Sequence, residues 1–144
     1  MTPYVNLLLV IATIVVNGLA NALPINDQQT GEISDRFNVY FTPAGYVFSI
    51  WGLIYLGLVV FAIYQLLPAQ RDRVLIRRIS TPFWISCLAN MSWLVCWHYE
   101  YFGTTLALML VLLASLIWVT RILFAAGPPA DASERWCLRT PFSI

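Results

Sequence analysis

The sequence has no lysine and little charge of any kind. Its 144 residues carry eight basic side chains, all arginine, and seven carboxylates, so 10% are charged, against about 25% in an ordinary soluble domain. The formal net charge is only +1, so no global field draws a polyanion, and nucleic-acid binding is excluded as a function. No Asp, Glu, Lys or Arg falls deep within an apolar run. That argues against a proton-coupled pump or a small multidrug exporter, both of which use an intramembrane ionisable group. Cys87, Cys96 and Cys137 have no metal-ligand spacing, and Cys87 and Cys96 share one apolar segment where they cannot bridge each other; they read as buried free thiols. The single histidine, His98, stands beside Tyr99 and Glu100 and reads as a solvated interfacial side chain. As a haem ligand it lacks a second axial partner. P-loop, GxGxxG, HExxH and GxSxG patterns are all missing. The sequon Asn90-Met91-Ser92 lies mid-segment in an apolar run, where no glycan is added.

What is abundant is apolar surface. Hydrophobic residues make up 60% of the chain and mean hydropathy is +0.74. The charges fall in clumps separated by four charge-free stretches: Met1 to Asn26, Phe37 to Gln70, Ile79 to Tyr99 and Tyr101 to Thr120. Each is long enough to cross a bilayer as a helix, the form that satisfies its own backbone hydrogen bonds there. Four buried helices of a soluble domain would leave the chain no polar surface. The expected architecture is therefore all-α: one membrane-embedded helical bundle over residues 1–144, with four transmembrane helices and the start of a fifth.

Local markers set the expected boundaries. Helix 1 is read over Tyr4–Leu23, stopped by Pro24. Helix 2 runs from Pro43 to Leu67, with Thr42 as N-cap and Pro43 at the first helical position. Helix 3 repeats the device at Thr81-Pro82 and runs to Tyr99. Helix 4 starts at Thr104 or Thr105 and ends near Ala126, before Gly127-Pro128-Pro129. Asp131 to Glu134 resembles a capping box that opens a fifth helix near residue 132. Arg135 to Ile144 would be only its beginning, too short to span, so the chain is read as ending before most of helix 5, with one wall of any central pocket missing and ligand binding weakened. The long polar loop from Pro24 to Phe41 is the candidate lid. Ala20-Asn21-Ala22 resembles a signal-cleavage site, but no Lys or Arg precedes the apolar run, so helix 1 is read as retained. Its Asn6, Asn17 and Asn21 are expected to face other helices, where an amide finds a partner.

Arginine placement sets the expected orientation. Arg71, Arg73, Arg77 and Arg78 follow helix 2, and Arg121, Arg135 and Arg139 follow or end helix 4. The other side holds Arg36 alone, beside Asp27, Glu32 and Asp35. Seven arginines against one place the N-terminus and the loop between helices 2 and 3 in the cytoplasm. The cluster itself is read as topology and lipid headgroup contact.

The aromatic load is high: six Trp, seven Tyr and eight Phe. An interfacial belt explains Tyr4, Tyr99, Tyr101 and Trp136, which lie at span ends. It does not explain Trp51 or Trp93. Phe48, Trp51 and Tyr55 share one face of helix 2, and Phe83, Asn90, Trp93 and Trp97 form a stripe on helix 3 with Ser86 between. If helices 2 and 3 are antiparallel neighbours, the two faces enclose a site for a flat apolar ligand with a polar edge. Plain helix–helix packing is the alternative use of the same rings.

These residues carry a resemblance. Thr42-Pro43 through Trp51-Gly-Leu-Ile-Tyr55 resembles the second-helix signature of the translocator protein family (TspO/MBR, peripheral benzodiazepine receptor), W-x-P-P followed by W-x-x-x-Y. Asn90-Met-Ser-Trp93, with Trp97 four residues on, is similar to its third-helix N-x-x-W. The chain departs at Phe41 and Thr42, where the family has Trp and Pro, and Ala44 follows Pro43. The resemblance implies a five-helix membrane receptor or sensor that binds a porphyrin-like tetrapyrrole between helices, with Trp51, Asn90 and Trp93 lining its pocket; the shared helix faces add Phe48, Tyr55 and Trp97 as ligand-binding residues. It implies no required cofactor and no metal site. Membrane lipid, a porphyrin-like small molecule and a second copy of the chain are the expected partners, and a bacterial cell membrane is the expected location. A structural or assembly subunit whose tryptophans only pack helices stays open, and so does the light-dependent porphyrin breakdown ascribed to some bacterial members. The family's sterol-recognition segment lies on helix 5 and is not carried over.

The arginine asymmetry makes a testable statement. In a cysteine-free background, an introduced thiol at Arg73→Cys should react only with reagents that reach the cytoplasm; labelling by an impermeant reagent on intact cells would reverse the orientation.

Overall fold

The computed structural model describes residues 2–26, 33 and 50–143. Phe48, the Phe41-Thr42-Pro43 start expected for helix 2 and most of the candidate lid lie outside the described residues. Every element among the described residues is helical: α1 (Thr2–Ala22), α2 (Ile50–Tyr64), α3 (Val74–His98), α4 (Phe102–Ala125) and α5 (Ala132–Glu134). A π-turn (Arg135–Arg139) and a 3-10 turn (Thr140–Phe142) continue α5. Three of these helices, α1, α3 and α4, are long and apolar enough to cross a membrane, and α2 is a shorter apolar helix.

The burial pattern is inverted relative to a water-soluble bundle. On α1 the buried residues include Asn6, Thr13 and Asn17, while Leu8, Ile11, Val15 and Leu19 face outward. On α4 Thr105 and Ser115 are buried, while Leu106, Leu110, Leu113 and Ile117 are exposed. In water this arrangement exposes oil and hides hydrogen-bonding groups. In lipid it is favourable, because only the protein interior offers polar partners.

α1 packs on both α2 and α3, and α3 runs along α4. Amides join these helices at separate levels. At the arginine-rich end, Asn6 Nδ2 donates to Gln65 Oε1 at 2.6 Å and to Ser80 Oγ at 2.9 Å, and Trp84 Nε1 donates to Asn6 Oδ1 at 2.5 Å. Midway, Asn17 Nδ2 donates to the Thr13 carbonyl and to Asn90 Oδ1, both at 2.8 Å. At the far end Asn26, in left-handed backbone at φ 56°, donates to the His98 carbonyl at 3.0 Å. Asn6 and Asn17 thus meet the expectation drawn from sequence. Asn21 does not: it is exposed and bonds the Asn17 carbonyl of its own helix.

Other expectations require correction. α3 begins at Val74, not at Thr81-Pro82, and Pro82 sits inside it. Pro82 lacks the N–H that would bond Arg78. The helix nevertheless continues, because Ile76, Ile79 and Phe83 form a stripe that is at most 1% exposed. Arg77 and Arg78 therefore lie on α3 rather than in a loop. α2 stops at Tyr64 rather than Leu67, and Gln65 turns into the amide cluster. α4 starts at Phe102, so Thr105 is an interior residue and not a cap. His98 is fully buried, not solvated; its Nδ1 lies 2.8 Å from the Leu94 carbonyl, which can only accept, so Nδ1 carries the proton. Among the described residues α2 does not pack side by side along α3 and meets it at Phe61 and Phe83. It rests on α1 and on the C-terminal stretch.

That stretch is the wedge of the bundle. Phe142 stands edge-on to Phe61 of α2 at 5.1 Å and to Phe83 of α3 at 5.8 Å, and those two rings meet at 5.4 Å. Pro141 lies so near Gly57 that a Cβ added there would sit 3.3 Å from the Pro141 Cβ.

Asn6→Ala removes the hub of three side-chain hydrogen bonds. It should lower unfolding free energy by about 2 kcal/mol, given roughly 0.6 kcal/mol per interhelical bond plus the partners left buried. Asn21→Ala should stay within about 0.5 kcal/mol. Reversible unfolding in mixed micelles measures both.

Candidate functional site: a cavity above the C-terminal wedge

A cavity of about 280 Å³ opens between α2 and α4. Trp51, Tyr55 and Leu58 wall it on α2, Ser86, Cys87 and Asn90 on α3, and Leu112 and Leu116 on α4. Thr13 reaches it from α1, while Pro141 and Phe142 form its floor. The Trp51 and Tyr55 rings lie stacked, 6.2 Å apart with 30° between planes. One helical turn separates them, so the α2 backbone presents both to one side.

The polar edge follows from hydrogen-bond logic. Asn17 gives both contacts through Nδ2, and the Thr13 carbonyl can only accept, which fixes that atom as the amide nitrogen. The Asn90 atom facing it must then be Oδ1. Asn90 therefore keeps its NH₂ group, which has no partner among the described residues, for the cavity. Thr13 Oγ1 is buried at the same cavity, beside the Cys87 thiol and with no other hydrogen-bond partner among the described residues. An apolar, aromatic-sided cavity thus has the Asn90 amide and the Thr13 hydroxyl among its few polar lining groups.

Three of the residues singled out from sequence, Trp51, Tyr55 and Asn90, share this cavity. Trp93 and Trp97 do not line it. Their rings meet at 6.4 Å, and Trp97 packs edge-on against Phe102 at 5.5 Å, towards the α3–α4 turn. Thr13, Leu112, Leu116, Pro141 and Phe142 carried no signal in the sequence, because each joins the site through tertiary packing. Cys87, Cys96 and Cys137 are free thiols. Among the described residues no group of His, Cys, Asp and Glu could hold a metal ion.

The floor is held by charge outside the spans. Glu134, 2% exposed, receives Arg139 Nη2 on Oε1 and Arg73 Nη2 on Oε2, each at 2.7 Å. The Ala130 N–H adds a contact at 3.3 Å, and Asp131 caps the Glu134 N–H at 2.6 Å, as the capping-box pattern implied. Arg139 also donates to the Leu123 and Gly127 carbonyls. The triad ties the α2–α3 connection and the end of α4 to the stretch that carries Pro141 and Phe142. Burial pushes the Glu134 carboxyl up, but its bonds from Arg139 and Arg73 prevail and hold it below the usual carboxylate range. The Glu134 carboxylate in turn raises the Arg73 guanidinium.

Apolar helices long enough to span a bilayer, with amides inside and leucines outside, define an integral membrane protein. Within that class, the family model for TSPO-like protein matches residues 3–144, and the chain belongs to that family. No curated protein and no solved structure gives a match.

Removing the triad's centre tests its role. Glu134→Gln leaves two arginines without their counter-charge and should cost about 3 kcal/mol, the scale for breaking a buried pair. Hydrogen exchange should rise over 132–143 and much less over α1. A carboxyl depressed in the folded state stabilises fully above its unfolded value of about 4.3 and loses that contribution as pH falls through the folded value. Wild-type protection of this stretch should therefore fall only below the ordinary carboxylate range, and the variant should lack that pH dependence.

Proposed function

We propose that this TSPO-like protein is a membrane receptor or sensor for a flat, largely apolar ligand of the porphyrin class, bound in the cavity above Pro141 and Phe142. The observation that carries the reading is the amide of Asn90. Asn17 holds it by its oxygen, so its NH₂ group is presented to a cavity walled by Trp51 and Tyr55. A macrocycle would stack on the α2 rings while Asn90 meets an acceptor on its edge. The volume, about 280 Å³, is at the small end of ligand pockets and fits one edge of a macrocycle better than the whole. Trp93 and Trp97 support the α3–α4 turn in this reading. In a purely structural subunit, the aromatic residues would have only packing to do.

Protoporphyrin titration of the purified chain, read by quenching of tryptophan fluorescence, tests the proposal. Trp51→Ala should weaken binding by roughly 2- to 12-fold, the worth of one aromatic stacking contact. Asn90→Ala should lose a similar factor, the net worth of one hydrogen bond. Trp93→Ala should lose less than about twofold, and Trp118→Phe, on the lipid-facing side of α4, nothing. Equal losses from all four would mean general destabilisation. Unchanged affinity in both Trp51→Ala and Asn90→Ala would remove the cavity as the site.

A further inference from the structure

A second, larger recess lies at the arginine-rich end. It measures about 520 Å³ and runs between the last turns of α4 and the C-terminal stretch. Its inner wall is Thr120 and Leu123, and Phe124, Pro128 and Trp136 lead outward to Arg135. It is separate from the cavity above Phe142, which meets it only through that ring.

Three observations bear on its occupant. First, its apolar side chains stand open: Phe124 is 78% exposed and Trp136 is 63% exposed. Second, its two cations differ. Arg139 is engaged by Glu134 and by the Leu123 and Gly127 carbonyls. Arg135 makes no ion pair among the described residues, and its guanidinium lies 5.8 Å from the Trp136 ring centre. That leaves its donors free, with its planar group beside an aromatic face. Third, the surrounding end of the bundle is positive. Among the described residues it carries seven arginines and three carboxylates (Asp72, Asp131 and Glu134), a net of +4.

The recess therefore grades from apolar, beside the spanning part of α4, to cationic where the chain leaves the span. We propose that it is a binding site for one anionic phospholipid: an acyl chain lies along Leu123, Phe124 and Trp136, and the Arg135 guanidinium holds the headgroup phosphate. A free phosphate would use Arg135 and leave the apolar wall uncovered. A zwitterionic lipid would use the wall but would not benefit from the net charge. An anionic amphiphile uses both.

Native mass spectrometry of the full chain, released from micelles doped with phosphatidylglycerol or phosphatidylcholine, tests this. One phosphatidylglycerol should remain bound in clear preference to phosphatidylcholine, and millimolar glycerol phosphate should not displace it. Arg135→Gln should weaken that binding about tenfold, the loss of one charge-assisted hydrogen bond, and Arg135→Lys should recover part of it. Arg121→Gln changes the same net charge from an exposed position on α4 that does not line the recess, and should have little effect. Equal losses from Arg135→Gln and Arg121→Gln would reduce the effect to surface charge and overturn the site. So would equal retention of the two lipids, displacement by glycerol phosphate, or a dimer whose formation depends on Arg135. Protoporphyrin affinity should be unchanged in Arg135→Gln, so loss of the lipid and loss of the ligand cavity are separate results.

Discussion

An amide placed among hydrocarbon must find its partners inside the protein, and this requirement organises the bundle. Asn6, Asn17 and Asn26 sit at different heights, and each reaches across to a neighbouring element. Leucine side chains on the outside supply no comparable information, because lipid and a neighbouring helix are nearly equivalent to them. The asparagines set which faces of α1 and α3 meet and at what height. The cavity is a by-product of that register. Asn90 is fixed by one end of its amide, and the other end is left facing a space that α2 and α4 do not fill.

The C-terminal stretch supplies what α1 cannot. α2 has few direct contacts with α3, and Phe142 occupies the gap between Phe61 and Phe83. The ion triad keeps this wedge in place from the aqueous edge of the bundle. Buried ion pairs are poor sources of net stability; what Glu134 contributes is position, because it joins Arg73 of the α2–α3 connection to Arg139 of the wedge itself. Arg73 is consequently a poor place for a reporter thiol, and the exposed Arg71, which pairs with its neighbour Asp72, is the better one.

Much of the architecture was legible in the sequence. Gaps between charged clumps marked the helices, since a helix in lipid tolerates few charges, and two short aromatic motifs pointed to the family that the match over residues 3–144 establishes. Thr81-Pro82 has the local form of a helix start, yet α3 begins at Val74. Burial of Ile79 and Ile76, about one and two turns before Pro82, outweighs that local form, and local chemistry does not report burial. His98 looked solvated for a similar reason: its neighbours Tyr99 and Glu100 are exposed, but the helix turns its ring inward. The cavity was partly legible. Trp51, Tyr55 and Asn90 stand out by residue type and spacing, whereas Pro141 and Phe142 are ordinary residues until the chain folds back beneath α2. Glu134 and Arg73 are 61 positions apart, and nothing in either segment announces the other.

The contact between Gly57 and Pro141 has a mechanical consequence. A side chain at residue 57 would press on Pro141 more tightly than ordinary packing, so the absence of one lets α2 and the wedge come together there. Glycine at 57 thereby sets how closely the floor of the cavity, Pro141, can sit to α2, and Gly57→Val would have to push the two apart.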